Sequence, residues 1–188
     1  MKKKIGELFF QIIPVMIGVY LGFVVSNWSD DNQRRAQAYT LAQNLLSEIN
    51  SNQSKLEKVI DYHKMLQDSS RYYSQPQSDI QNAHFFQGTQ VLTLANSAYE
   101  TGIQTGIINE LPIDDIQAIN QLYTLQNDYN DFGNLLMSGL LAKDFSDRAE
   151  DRRGIARFLS VSMTDVVIKE TDLLETYGLV KERLMAVK

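Results

Sequence analysis

Residues 38–73 read AYTLAQNLLSEINSNQSKLEKVIDYHKMLQDSSRYY, and the spacing of their apolar positions decides the fold. The stripe runs Ala38, Ala42, Leu45, Ile49, Asn52, Leu56, Val59, His63, Leu66, Ser70, Tyr73, in alternating steps of three and four. A repeat of about 3.5 residues keeps one narrow face toward a neighbour, as in a coiled coil or a long bundle helix. No Pro or Gly falls between Asp30 and Tyr73, so nothing in the stretch breaks a helix. Asn52, His63 and Ser70 are its polar members. Residues of this kind at seam positions fix register or pairing more often than they perform chemistry.

Toward the C-terminus the same period returns. Residues 74–90 are rich in Ser, Gln and Asn around Pro76 and read as a loop that packs Phe85 and Phe86 back onto the bundle. Val91, Ala95, Ala98, Gly102 and Gly106 predict a shorter helix over 91–108, with small residues on one face. A turn at Pro112 precedes a helix over about 113–142, opened by Asp114 and Asp115, whose charge suits a helix N-terminus. A last long helix is expected from about Ser146 onward, striped by Ile155, Leu159, Ser162, Val166, Lys169, Leu173, Tyr177, Val180 and Leu184. Gly154 and Gly178 interrupt it, each at about 1 kcal/mol relative to Ala. The expected fold is therefore all-α, an antiparallel four-helix-bundle-like domain over 30–188 with long first and last helices.

Toward the N-terminus, Lys2, Lys3 and Lys4 precede an uncharged run from Leu8 to Ser29, and the chain turns abruptly polar at Asp30. At ~1.5 Å per residue that run spans the ~30 Å hydrocarbon core of a bilayer. Residues 1–29 are expected to be a short cytoplasmic tip and a transmembrane helix that continues into the outer domain. No second apolar stretch follows, which predicts a single pass. Cationic flanks are retained in the cytoplasm, so the three lysines predict N-terminus in and domain out. A cleavable signal peptide is the alternative, with Val24 and Ser26 ahead of a cut before Asn27. The run exceeds the ~7–15 residues of a secretory core, which favours a retained anchor. Pro14, Gly18, Gly22 and Ser26 recur every fourth residue, and Gly18, Gly22 and Ser26 form a candidate face for helix packing in the membrane. Trp28 stands where an interfacial aromatic belongs.

Composition narrows the rest. The 188-residue chain has a formal charge of −5 and no cysteine. Three of its lysines precede the span, so the outer domain is more acidic still, and nucleic acid is excluded as a partner by repulsion. Without Cys there are no disulfides and no thiolate metal sites. An exported domain held by packing alone suits a bacterial periplasm or surface.

Candidate chemistry is sparse. The two histidines, His63 and His84, are too far apart for a helical metal pair. His63 lies in the seam and reads as a packed or hydrogen-bonded residue; His84 reads as exposed. Glu110, Asp114 and Asp115 gather around one turn but lack a calcium-loop pattern. The mixed-charge run from Asp147 to Arg157 reads as a solvated helix face with i, i+4 pairs. No nucleophile elbow, phosphate loop or dinucleotide glycine pattern occurs. No catalytic residue, cofactor or metal is expected. Ala98, Tyr99, Gly102, Tyr123 and Tyr129 form a candidate pocket between helices, weighed against ordinary core.

Two stretches together carry a family resemblance. Ile5-Gly6-Glu7 enters the span and Asn27-Trp28 leaves it; Ala98-Tyr99-Glu100-Thr101-Gly102 leads to Thr105-Gly106 and then to Leu122-Tyr123. This resembles poorly characterised bacterial single-pass membrane proteins of marine and Bacteroidota-type genomes. Their signature often has Trp where Tyr99 stands here. The resemblance implies a membrane-anchored helical domain without a known function and brings no catalytic residues.

These readings converge on a non-enzymatic interaction or scaffold protein, an accessory subunit of an envelope complex in the bacterial inner membrane. Its expected partners are membrane lipid and either further copies of itself or another envelope protein. The alternative is a periplasmic four-helix, sensor-like ligand-binding module that signals through a partner, its small-molecule ligand unknown.

Overall fold

The computed structural model describes residues 2–187, and for residues 2–12 the course of the backbone only. Four α-helices carry the fold: α1 Lys2–Tyr73, α2 Ser97–Thr105, α3 Ile113–Leu141 and α4 Ala149–Met185. Short 3-10 turns at Ile80–Asn82 and Ile107–Glu110 lie in the connections. No strand occurs among the described residues, and the all-α expectation holds.

α1 is one continuous helix of 72 residues, roughly 108 Å long at 1.5 Å per residue. Its seam is buried as its spacing requires: Ala42, Leu45, Ile49, Asn52, Leu56, His63, Leu66 and Ser70 are all 0% exposed. Only Tyr73, at the end of the stripe, is half-buried. Gln53 pairs with Lys181, His63 with Glu170 and Gln67 with Thr164, so α4 runs antiparallel to α1. Tyr129 meets Glu170 and Asp115 meets Arg183, so α4 is antiparallel to α3 as well.

The fourth position of the bundle, between α1 and α3, is where the structure departs from the expected helix over 91–108. Residues 83–96 have no regular secondary structure, and the helix spans only Ser97–Thr105. Thr89 lies against His63 and Ala95 against Asn52, a rise along α1 of roughly 16 Å at 1.5 Å per residue. Six residues cover that rise only in a nearly extended conformation, since a strand advances about 3.3 Å per residue. Gln90, with φ 52°, takes a left-handed conformation that no α-helix contains. The small-residue spacing that suggests a helix is real only from Ala98 onward. There Gly102 lets α2 close on α1, since a Cβ at that position would come within 2.9 Å of the Leu41 side chain. Gly106 ends α2 at φ 73°, the left-handed turn that glycine adopts freely. The topology remains up, down, up, down, with the second member half helix and half strap.

α3 and α4 begin and end within three residues of expectation. The buried stripe of α4 alternates by threes and fours through Ala156, Leu159, Met163, Val166, Glu170, Leu173, Tyr177, Val180 and Leu184, where the expected stripe took Ile155, Ser162 and Lys169. Met163 and Glu170 are buried, while Ser162 and Lys169 are only half-buried. Asp114 and Asp115 fall in the first turn of α3. Arg148 pairs with Asp144 and Asp151, and Arg152 with Asp147, forming the solvated charged start of α4. Phe85 stacks on Tyr73 at 4.9 Å, which ties the loop to the far end of α1.

The N-terminal part of α1 has a different character. Every residue from 13 to 37 is exposed, including Ile13, Val15, Met16, Ile17, Leu21, Phe23 and Trp28. Pro14 lies within the helix without ending it. Among the described residues no helix is long and apolar enough to cross a membrane. The expected span starts at Leu8, and its residues 8–12 lie outside those whose side chains are described.

Candidate functional site

The most organised chemistry in the molecule is a set of three polar layers, two buried and one half-buried, that hold the strap between α1 and α3. An irregular segment inside a bundle has backbone N–H and C=O groups with no ladder to satisfy them, and each must find another partner. Side chains from the three long helices supply those partners.

In the layer farthest from the N-terminus, the His63 imidazole from α1 bridges two elements. Its Nε2 lies 2.8 Å from the Thr89 carbonyl oxygen and its Nδ1 lies 2.8 Å from Glu170 Oε1 on α4. The Tyr129 hydroxyl on α3 donates to the same Oε1 at 2.9 Å. His63, Glu170 and Tyr129 are each 0% exposed. Glu170 Oε2 is buried with no hydrogen-bond partner among the described residues.

The middle layer is built from amides. Asn52 Oδ1 accepts from the Ala95 N–H at 3.0 Å, and Asn52 Nδ2 donates to the Ala95 carbonyl at 2.7 Å. Gln126 Nε2 donates to that same carbonyl at 2.7 Å, while Gln126 Oε1 accepts from Asn52 and from the Tyr177 hydroxyl. Asn130 repeats the pattern on Leu94, accepting from its N–H and donating to its carbonyl. A side-chain amide thus substitutes for a neighbouring strand, since it offers one donor and one acceptor side by side.

The layer nearest the N-terminus caps α2. Glu48 Oε2 accepts from the Ala98 N–H and the Ser97 hydroxyl at 2.9 Å each, and Tyr123 donates to Oε1 at 2.6 Å. Asn96, the N-cap residue, makes no side-chain capping bond. A carboxylate from α1 therefore does the capping, where orphan N–H groups and the helix dipole favour negative charge. Burial, followed by the Glu48 hydrogen bond, raises the Tyr123 phenol well above its ordinary range. Burial and the Glu170 charge raise Tyr129 likewise, and burial raises Tyr177.

Of the five residues proposed to line an inter-helix pocket, Tyr123 lies in the Glu48 layer and Tyr129 in the Glu170 layer. Tyr99 stacks on Tyr123 with ring centroids 4.3 Å apart. Tyr123 and Tyr129 are fully buried, Gly102 is closed by Leu41, and Ala98 is half-buried at the capped end of α2. Gly18, Gly22 and Ser26 lie exposed on α1, and a Cβ at either glycine would meet nothing within 4 Å.

His63 is hydrogen-bonded within the seam and His84 is exposed, as their positions suggest. The histidine's partner Glu170 and the clamps Glu48, Gln126 and Asn130 do not stand out in the sequence. A signal for two of them exists: Gln126 and Glu170 are polar residues at apolar-stripe positions, flanked by Leu122 and Tyr129 and by Val166 and Leu173. Among the described residues no cluster of three or more metal-ligating side chains occurs. A cavity of about 270 Å³ opens at the far tip, lined by Phe85, Phe86, Phe145, His84 and Arg152. Arg152 is already engaged there by Asp147 and the Gln81 carbonyl.

Comparison with family models, with curated proteins and with solved structures finds no match to the chain.

Proposed function

We propose that this chain is a membrane-anchored scaffold or accessory subunit of an envelope complex, with no catalysis of its own. The observation that carries the reading is the contrast along α1. Its apolar N-terminal part offers every described side chain to the surroundings, while the same helix farther on is buried in a bundle. A run of exposed Ile, Val, Leu and Phe that no described residue covers has a natural solvent in lipid. In this reading Leu8–Ser29 spans the bacterial inner membrane, with the lysines inside and the bundle outside. The resemblance to anchored bacterial helical proteins points the same way.

The polar layers fit a scaffold better than an enzyme. Their donors and acceptors are largely consumed by the strap's own backbone, and among the described residues these layers turn no convergent nucleophile, acid and base toward a cleft. Further copies of the chain, or a second envelope protein, are the proposed partners. Chemical cross-linking in native membranes, followed by identification of the adducts, tests this. A defined adduct supports it, and a strictly monomeric, partnerless chain contradicts it.

A second reading, a sensor-like ligand-binding module signalling through a partner, is favoured by the aromatic cavity at the tip. Screening small metabolites by thermal shift distinguishes the two, since a ligand that binds only the folded state raises the melting temperature in a saturable way.

A further inference from the structure

The His63–Glu170 contact has a proton count that its partners dictate. The Thr89 carbonyl can only accept, so His63 Nε2 must carry a hydrogen to make its 2.8 Å contact. Nδ1 then faces Glu170 Oε1 at 2.8 Å. With a neutral imidazole and an ionised carboxylate, that distance would set two lone pairs against each other. The other neutral tautomer only moves the clash to Thr89. Both contacts are satisfied only when one more proton lies between His63 and Glu170.

We propose that His63 and Glu170 share one extra proton, as imidazolium with carboxylate or as imidazole with carboxylic acid, and that this proton latches residues 83–96 to the bundle. The surroundings suit such a pair. The site is wholly buried, Tyr129 donates to the same Oε1, and Oε2 has no partner among the described residues. A bare carboxylate there would be costly without a positive charge or a proton. The other groups facing the pair are few. Tyr62, the neighbour of His63 on α1, holds its ring centroid 5.8 Å from the imidazole and turns its hydroxyl to the Gly88 carbonyl. Lys169, the neighbour of Glu170 on α4, turns to the Phe132 ring, 5.9 Å away.

The sign follows from counting protons. An unfolded chain has an ionised Glu above pH ~4.3 and loses the His proton near pH ~6.5. Between those values folded and unfolded chains hold the same number of protons on this pair. Above pH ~6.5 the folded chain holds one more, so the latch contributes fully below that point and weakens as pH rises. At high enough pH the proton leaves to solvent, and the contact at Thr89 or at Glu170 must open.

The test is reversible urea unfolding of the full chain in detergent micelles, followed by the near-ultraviolet signal of the buried tyrosines. Between pH 7 and 9 the folding constant of the wild type is expected to fall as pH rises, by at most about tenfold per pH unit for the one proton. Glu170→Gln replaces the shared proton with an amide N–H that can donate to Nδ1, and its profile is expected to be flat. His84→Gln, altering the exposed histidine, is expected to keep the wild-type slope. A flat wild-type profile, or an unchanged slope in Glu170→Gln, overturns the latch. If Glu170→Gln does not fold, the resonances of His63 and Glu170 decide. A proton held between Nδ1 and Glu170 at neutral pH, seen as an Nδ1–H resonance or as a protonated Glu170 carboxyl carbon, supports the latch, and a neutral Nε2–H imidazole beside an ionised Glu170 contradicts it.

Discussion

The two halves of α1 obey the same helical geometry and opposite solvation. From Ala38 onward one face in every turn is removed from water, and the opposite face is polar and exposed. From residue 13 to 28 the helix is mostly apolar, and among the described residues nothing covers it. A helix apolar all round is either the centre of a large protein or a lipid-facing rod, and the proposed anchor takes the second of these. The polar seam members mark the difference as clearly as the apolar ones. Asn52 and His63 are placed to satisfy another segment's backbone, whereas Gly18 and Gly22 have only open space beside them.

The comparison can be broken in several places. Leu45→Ala, at a fully buried seam position, is expected to destabilise the bundle by roughly 2–5 kcal/mol through lost burial and a residual cavity. Chemical denaturation would read this, while membrane retention should not change. The complementary change is Val19→Arg with Phe23→Arg on the other half. Each Arg at a span's centre costs about 2.5–3.5 kcal/mol of insertion, so the chain should shift from the membrane to the soluble fraction with its bundle still folded. Loss of the bundle instead would mean that residues 13–28 belong to the core.

Asn52→Ala takes one clamp from the strap and leaves the Ala95 N–H without its partner. A loss of about 1–3 kcal/mol is expected, together with faster amide exchange concentrated in residues 89–96. Uniformly faster exchange would contradict the role of Asn52 as a local clamp. Alkali should act on the same layers. Tyr123, Tyr129 and Tyr177 are held protonated above the ordinary phenol value. Their contribution is therefore complete below pH ~10 and falls above it by about 1.4 kcal/mol per pH unit for each phenol. The share of the phenolate absorbance due to these three of the nine tyrosines should then rise together with loss of helix rather than before it. The smallest effect is expected at Gly178, which is exposed on α4 with nothing within 4 Å of an added Cβ. Gly178→Ala should stabilise by about 0.5–1 kcal/mol, measured as a higher melting temperature.

The long helices were legible because their signal is repeated. The seam of α1 recurs over five heptads, and neither Pro nor Gly contradicts it. The strap was not legible for a local reason. Val91, Ala95 and Ala98 fall at helical spacing by coincidence, while the features that keep 89–96 extended lie on other elements, in Asn52, Gln126, Asn130 and His63. Glu48 was hidden in the same way. It reads as a surface acid on α1, and only the arrival of α2 above it makes it a cap. Gln126 and Glu170 carried a usable signal, because a polar residue inside an apolar stripe needs a buried partner. The expected stripe of α4 took Ile155, Ser162 and Lys169, whereas the alternation of threes and fours that is buried runs through Ala156, Met163 and Glu170.

Alkaline carbonate washing of native membranes tests the contrast within α1 most directly, because it strips proteins held by contacts with other proteins and leaves those embedded in lipid. The full chain is expected to remain in the membrane pellet. Its release into the supernatant would contradict a lipid-embedded N-terminal half.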